Sequence, residues 1–109
     1  MSDEEAARAL LATARHFLKF GNCEAALVLL DAATALGLKE PAVDALRSEA
    51  LLRSGEPNEA IEAAERALNG PPRPWHARLR LLHVAMLKAA GRLSEARARV
   101  LSMSRRSSE

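Results

Sequence analysis

The sequence has one cysteine, no tyrosine, one tryptophan and two phenylalanines. With Cys23 alone an internal disulfide is excluded, and a lone thiol suits a reducing compartment. No apolar run approaches the roughly 18 residues of a membrane span. The opening Met1-Ser2-Asp3-Glu4-Glu5 is acidic where a secretory leader is basic. A cytoplasmic chain without membrane insertion is therefore expected. Charge of one sign is also scarce: 16 Lys+Arg against 14 Asp+Glu leave a formal +2. That balance is too even to argue for nucleic acid, and only the segment carrying Arg97, Arg99, Arg105 and Arg106 would support such a partner.

Reactive side chains are equally sparse. His16, His76, His83 and Cys23 share no zinc-type spacing, so no metal site is expected. Cys23 is read as a small half-buried thiol near a helix start. No Gly-rich phosphate loop, nucleophile elbow or paired-carboxylate motif is visible. The chain is expected to be non-enzymatic and to need no cofactor.

What is present is a repeat. Gly21-Asn22-Cys23-Glu24-Ala25-Ala26, Gly55-Glu56-Pro57-Asn58-Glu59-Ala60 and Gly91-Arg92-Leu93-Ser94-Glu95-Ala96 each place alanine five residues after glycine, with an acidic residue between. The copies start 34 and 36 residues apart, at 21, 55 and 91. In a helical hairpin the glycine makes the turn and the alanine lets the paired helices approach. The 49% hydrophobic content comes mainly from Ala and Leu, which favours short, closely packed helices over strands.

The periodicity supplies the helices. Ser2 and Glu5 have capping-box spacing, and Ala7, Leu10, Leu11, Ala14, Phe17 and Leu18 mark one face up to Gly21. Ala26, Leu29, Leu30, Ala33 and Leu36 form the next stripe, stopped by Gly37. Pro41 opens a third helix with Val43, Leu46, Ala50 and Leu51; Pro57 opens a fourth with Ala60, Ile61, Ala64, Ala67 and Leu68. Asn69-Gly70-Pro71-Pro72-Arg73-Pro74 ends it. Trp75, Leu79, Leu82 and Met86 share a face of the fifth, and Leu93, Ala96, Val100 and Met103 of the sixth. The expectation is an all-α single domain over 1–103, with hairpins at about 3–36, 41–69 and 75–103. Residues 104–109 are expected to be a disordered tail.

This pattern resembles the tetratricopeptide repeat. The family's turn glycine matches Gly21, Gly55 and Gly91, and its small residue matches Ala26, Ala60 and Ala96. Its later alanine matches Ala33 and Ala67, with Met103 in the third copy; Phe17 matches the aromatic position that Leu51 and Leu87 occupy elsewhere. Pro72 matches the terminal proline, which is displaced to Pro41 in the first copy. The resemblance implies three tandem hairpins, six helices in all, in a short right-handed superhelical solenoid. The run Ala26-Leu27-Val28-Leu29-Leu30-Asp31-Ala32, with the Pro-rich link and Trp75, is similar to small type III secretion chaperones, most to the Y-type that holds an early export substrate and less to the G-type needle co-chaperone. It implies a hetero-oligomer in which a helical or partly disordered secretion substrate is held; a general tetratricopeptide adaptor or scaffold is the alternative.

The resemblance also implies which positions line the concave groove: Arg8, Leu11, Arg15, Leu18 and Lys19; then Ala42, Ala45, Glu49, Leu52 and Arg53; then Arg78, Leu81, Ala85 and Lys88. Leucines would form an apolar floor inside a basic rim, a surface that suits an amphipathic helix with acidic residues. Two of the positions that clamp acidic chaperone C-termini elsewhere in the family hold Leu11 and Arg15, which argues against that partner. Trp75 either seals the junction between the last two hairpins or anchors a partner, and Phe20, off the main stripe of its helix, is a candidate contact.

Overall fold

The computed structural model describes residues 1–108, all in helices and their connections. Six helices follow in order: α1 (Asp3–Lys19), α2 (Cys23–Ala35), α3 (Pro41–Arg53), α4 (Pro57–Leu68), α5 (His76–Ala89) and α6 (Leu93–Ser108). Ser2 caps α1, its Oγ accepting the Glu5 N–H at 3.2 Å. The reciprocal half of the box takes another form: the Glu5 carboxylate accepts from the Ser2 hydroxyl at 3.1 Å.

The repeated glycine motif has one backbone solution. Gly55, at φ 81°, follows the C-cap of α3 and sends its N–H to Leu52 O, while Glu56 N–H reaches back to Leu51 O. This paired closure satisfies carbonyls that a helix end leaves free, and its left-handed residue favours glycine. Gly21, Gly37 and Gly91 repeat the pattern. At three of these turns the residue that closes one helix is also the N-cap of the next: Asn22, whose Oδ1 accepts the Ala25 N–H, Glu56, and Arg92 before α6. No linker residue separates the members of a pair.

Each helix packs on its successor. In addition α1 touches α3 and α3 touches α5, whereas α2, α4 and α6 do not touch one another among the described residues. The odd-numbered helices thus form one row and the even-numbered helices lie beside it, giving a body of 47 × 29 × 21 Å. The interior divides in two. One cluster joins α1 and α2 to Val43 and Ala50 of α3. The other joins α4, α5 and Ala96 of α6, with Ala45, Leu51 and Leu52 of α3 packed against it. Alanines at Ala26, Ala33, Ala60, Ala64 and Ala67 are all buried, where larger side chains would hold the backbones apart. Half-buried Cys23 packs against the first cluster.

Three expectations from periodicity are corrected. Leu36 is exposed and Leu38 is buried in its place, because the Gly37 turn, with Leu38 N–H bonded to Ala33 O, folds Leu38 back over the helix end. In α6, Leu93 and Val100 face outward, while Ala96, Arg99 and Met103, with Arg92 just before the helix, form the less exposed face. No element among the described residues packs on the opposite side of α6. The segment 104–108, expected to be a disordered tail, continues α6 to Ser108. No glycine or proline interrupts it, and extending a formed helix needs only one more bond per residue. Glu109 lies outside the described residues.

Candidate functional site

The row of odd helices carries a groove, and its chemistry centres on Glu49. This carboxylate, 6% exposed, sits near the middle of α3 where the apolar stripe has lapsed. From the next turn of the same helix Arg53 Nη2 donates to it at 3.0 Å, and from α5 Arg78 donates twice, at 2.6 and 3.2 Å. Arg53 also uses Nη1 to donate to the Leu18 carbonyl at the end of α1, 2.8 Å away. A polar clasp therefore crosses all three odd helices. The Glu49 hydrogen bonds, and then its charge, raise the Arg78 pKa above the ordinary guanidinium value. A buried carboxylate is tolerable only when paired in this way.

Two pockets flank the clasp. One, of about 160 Å³, is lined by Ala42, Ala45, Leu46 and Glu49 of α3, Leu79 and Leu82 of α5, Trp75, Arg15 and Arg78. The other, about 310 Å³, is bordered by Arg15, Leu18, Lys19, Leu46, Glu49, Arg53 and Arg78. Trp75 is half-buried against the second core cluster, edge-on to His76 at 4.6 Å between ring centroids, and lines the first pocket as well. Among the described residues, neither Arg15 nor Lys19 makes a hydrogen bond or ion pair. The groove therefore offers an apolar recess, a centre in which one carboxylate is held by two guanidinium groups, and, on the α1 side, two cations without a hydrogen bond or ion pair among the described residues.

The structure distributes the expected groove residues unevenly. Arg15, Lys19, Glu49, Arg53 and Arg78 come together, with Leu18 at their edge. Leu11 and Leu18, at 5% and 4% exposure, are core residues rather than open floor. Leu52 is half-buried against the second cluster. Arg8 is drawn off to Glu40, at 2.5 Å, and to Glu4, at 3.5 Å. Leu81, 62% exposed, and Lys88 lie on the outer surface of α5 beyond either pocket. The apolar lining is supplied by Leu46, Trp75, Leu79 and Leu82 instead. Their helical spacing marked them as stripe residues, and a stripe that faces a row of helices also borders the gap between them.

Elsewhere, Phe20 is exposed and packs on His16 at a centroid distance of 4.7 Å. Among the described residues no group of three or more His, Cys, Asp or Glu side chains comes together as metal ligands. None of the described helices is long and apolar enough to cross a membrane. Comparisons with protein-family models, with curated proteins and with solved structures gave no match to this chain.

Proposed function

We propose that this chain is a protein-holding module: a short tetratricopeptide-like superhelix whose groove grips a helical or partly disordered segment of another polypeptide. The observation that carries the reading is the recess between α3 and α5, where Trp75, Leu79 and Leu82 stand beside the unpaired cations Arg15 and Lys19. An amphipathic helix with one large apolar side chain for the recess and acidic residues one turn away complements both features. The apolar anchor would carry most of the affinity, and the cations would steer the approach and fix the register. The similarity of the repeat run and the Pro-rich link to small type III secretion chaperones supplies the class of guest: an export substrate held in the bacterial cytoplasm. The expected complex is hetero-oligomeric and involves neither catalysis nor a cofactor.

Co-expression with the product of a neighbouring gene, followed by co-purification, tests this. Ala42→Glu places a long charged side chain in the recess while suiting the first turn of α3, where an acidic residue is favourable. The reading expects that variant to fold normally by circular dichroism and to lose the guest. Retention of the guest by Ala42→Glu would remove the groove from the binding site. A second reading, an adaptor working through its outer surface, draws on the exposed Leu93, Val100 and Leu101 of α6. It expects Val100→Glu, and not Ala42→Glu, to abolish association.

A further inference from the structure

Aligned on Gly21, Gly55 and Gly91, each residue of the last hairpin has a counterpart in the first two. Val100 of α6 corresponds to Leu30 of α2 and Ala64 of α4. Both counterparts are fully buried in clusters to which the following helix contributes, α3 in one case and α5 in the other, whereas Val100 is 49% exposed. Leu81 of α5 corresponds to Leu11, a core residue of α1, and to Ala45 of α3, which packs against the second cluster; Leu81 is exposed. The α5–α6 end therefore presents the seat on which an odd-numbered helix rests at the two earlier steps, and no helix among the described residues fills it.

The opposite end of the molecule carries the counterpart of the resting helix. Helix α3 rests through Val43 and Ala50, and α5 through Leu79 and Met86, all buried. The same positions of α1 hold Ala9 and His16, both exposed. Side-chain sizes are exchanged between the two settings. Within the chain, small Ala45 and Ala64 share a cluster with large Leu79 and Met86. At the ends, large Leu81 and Val100 stand on the seat and small Ala9 on the helix. Close packing is set by the summed volume of the two faces.

Charge agrees in direction. On the seat side, Lys88, Arg97 and Arg105 make no hydrogen bond or ion pair among the described residues, and the carboxylate of Glu95 is held by Arg92. In the first turn of α1, Arg8 engages Glu4, while Asp3 and Glu5 pair with no cationic side chain among the described residues. An odd-numbered helix begins where the even-numbered helix before it ends, so this acidic turn would lie against the last turns of α6, where Arg105 stands.

We propose that the chain associates head to tail with a second copy, α1 of one protomer resting on α5 and α6 of the other and continuing the row of odd-numbered helices. The contact is heterologous. Every added protomer exposes a fresh seat and a fresh α1, so assembly is open-ended. It does not rest on the guest-holding reading, since Ala9, Leu81 and Val100 line neither groove pocket.

Sedimentation velocity on the full chain, without a guest and over a series of concentrations, tests this. The mean mass is expected to rise past that of a dimer as concentration increases. Val100→Glu sets a carboxylate in the seat against the acidic turn, and Ala9→Arg sets a cation on α1 against the basic seat; each variant should be monomeric. Both positions are exposed and helical, so circular dichroism should match the parent. Leu81→Glu and Ala12→Arg replace them if it does not. Mixed in equal amounts, the two variants should reassociate, because one keeps an intact seat and the other an intact α1. The proposal is overturned by a parent that stays monomeric at every concentration, by a dimer that grows no further and survives Ala9→Arg, or by a mixture that stays monomeric.

Discussion

Arg78 of α5 donates two hydrogen bonds to the Glu49 carboxylate of α3, and Arg53 turns the same carboxylate toward α1. The burial is lopsided: the Glu49 side chain is 9% exposed, whereas those of Arg53 and Arg78 are 44% and 65% exposed. Water solvates the cations if the carboxylate is lost, but it reaches the carboxylate poorly if the cations are lost.

Removal of the two sides should therefore differ in cost. Glu49→Gln is expected to destabilise by about 1 kcal/mol, the loss of ordinary hydrogen bonds. The double variant Arg53→Met with Arg78→Met should cost about 3 kcal/mol by leaving a buried charge unpaired. Urea denaturation measures both, and the opposite ordering would show that the carboxylate is better hydrated than its burial implies.

The turn at Gly55 makes a second measurable demand. A Cβ added there meets nothing within 4 Å, so the cost of Gly55→Ala is purely conformational, from a φ of 81°. About 1–2 kcal/mol is expected, with Gly55→Asn losing less because asparagine tolerates this backbone region. Equal losses in thermal unfolding would indicate that the replacements alter more than backbone preference.

Acidification should act through His83. Burial first, and then Arg99, lower its pKa below the ordinary 6.5, with Arg92 adding to the effect and Glu65 and Glu95 opposing it. The unfolded chain then takes up a proton near pH 6.5 that the folded chain refuses. Stability is thus complete above that pH and declines as pH falls toward the lower folded value. His83→Leu should flatten the difference between stabilities measured at pH 7 and at a pH of about 5.5. An unchanged slope in that variant would assign the acid sensitivity to other groups.

Leu18 and its neighbour Lys19 should separate folding from binding. Leu18→Glu puts a charge into the first core and is expected to unfold the chain, seen as loss of helical circular dichroism. Arg15→Glu with Lys19→Glu should leave the fold intact. For an acidic guest it should lower the association rate about tenfold or more at low salt, with the difference shrinking as salt is raised. A guest that binds both forms at one rate does not read the α1 cations.

Much of the all-helical fold is legible because glycine and alanine have few substitutes at a tight helical turn, so Gly21, Gly55 and Gly91 with Ala26, Ala60 and Ala96 mark where α1, α3 and α5 end and α2, α4 and α6 begin. The groove was less so. Periodicity tells which side of a helix is apolar but not which of two neighbours it faces, so Leu11 and Leu18 went to the floor when they belong to the interior. Glu49 is expected as a groove position and lines both pockets, yet its partners lie 4 and 29 residues away, and no spacing within one helix announces Arg78. His83 left no signal at all, since a lone histidine between Leu82 and Val84 reads equally as surface or core.

Helix α3 gives Val43 and Ala50 to one core and Ala45, Leu51 and Leu52 to the other. Among the described residues it is the only helix with a stake in both, and Glu49 draws α1 and α5 to the same rod. Under mechanical load the chain should unzip inward from either terminus and stall at this keystone. Its amides should be the last to exchange with deuterium, and a break within it should release both halves together.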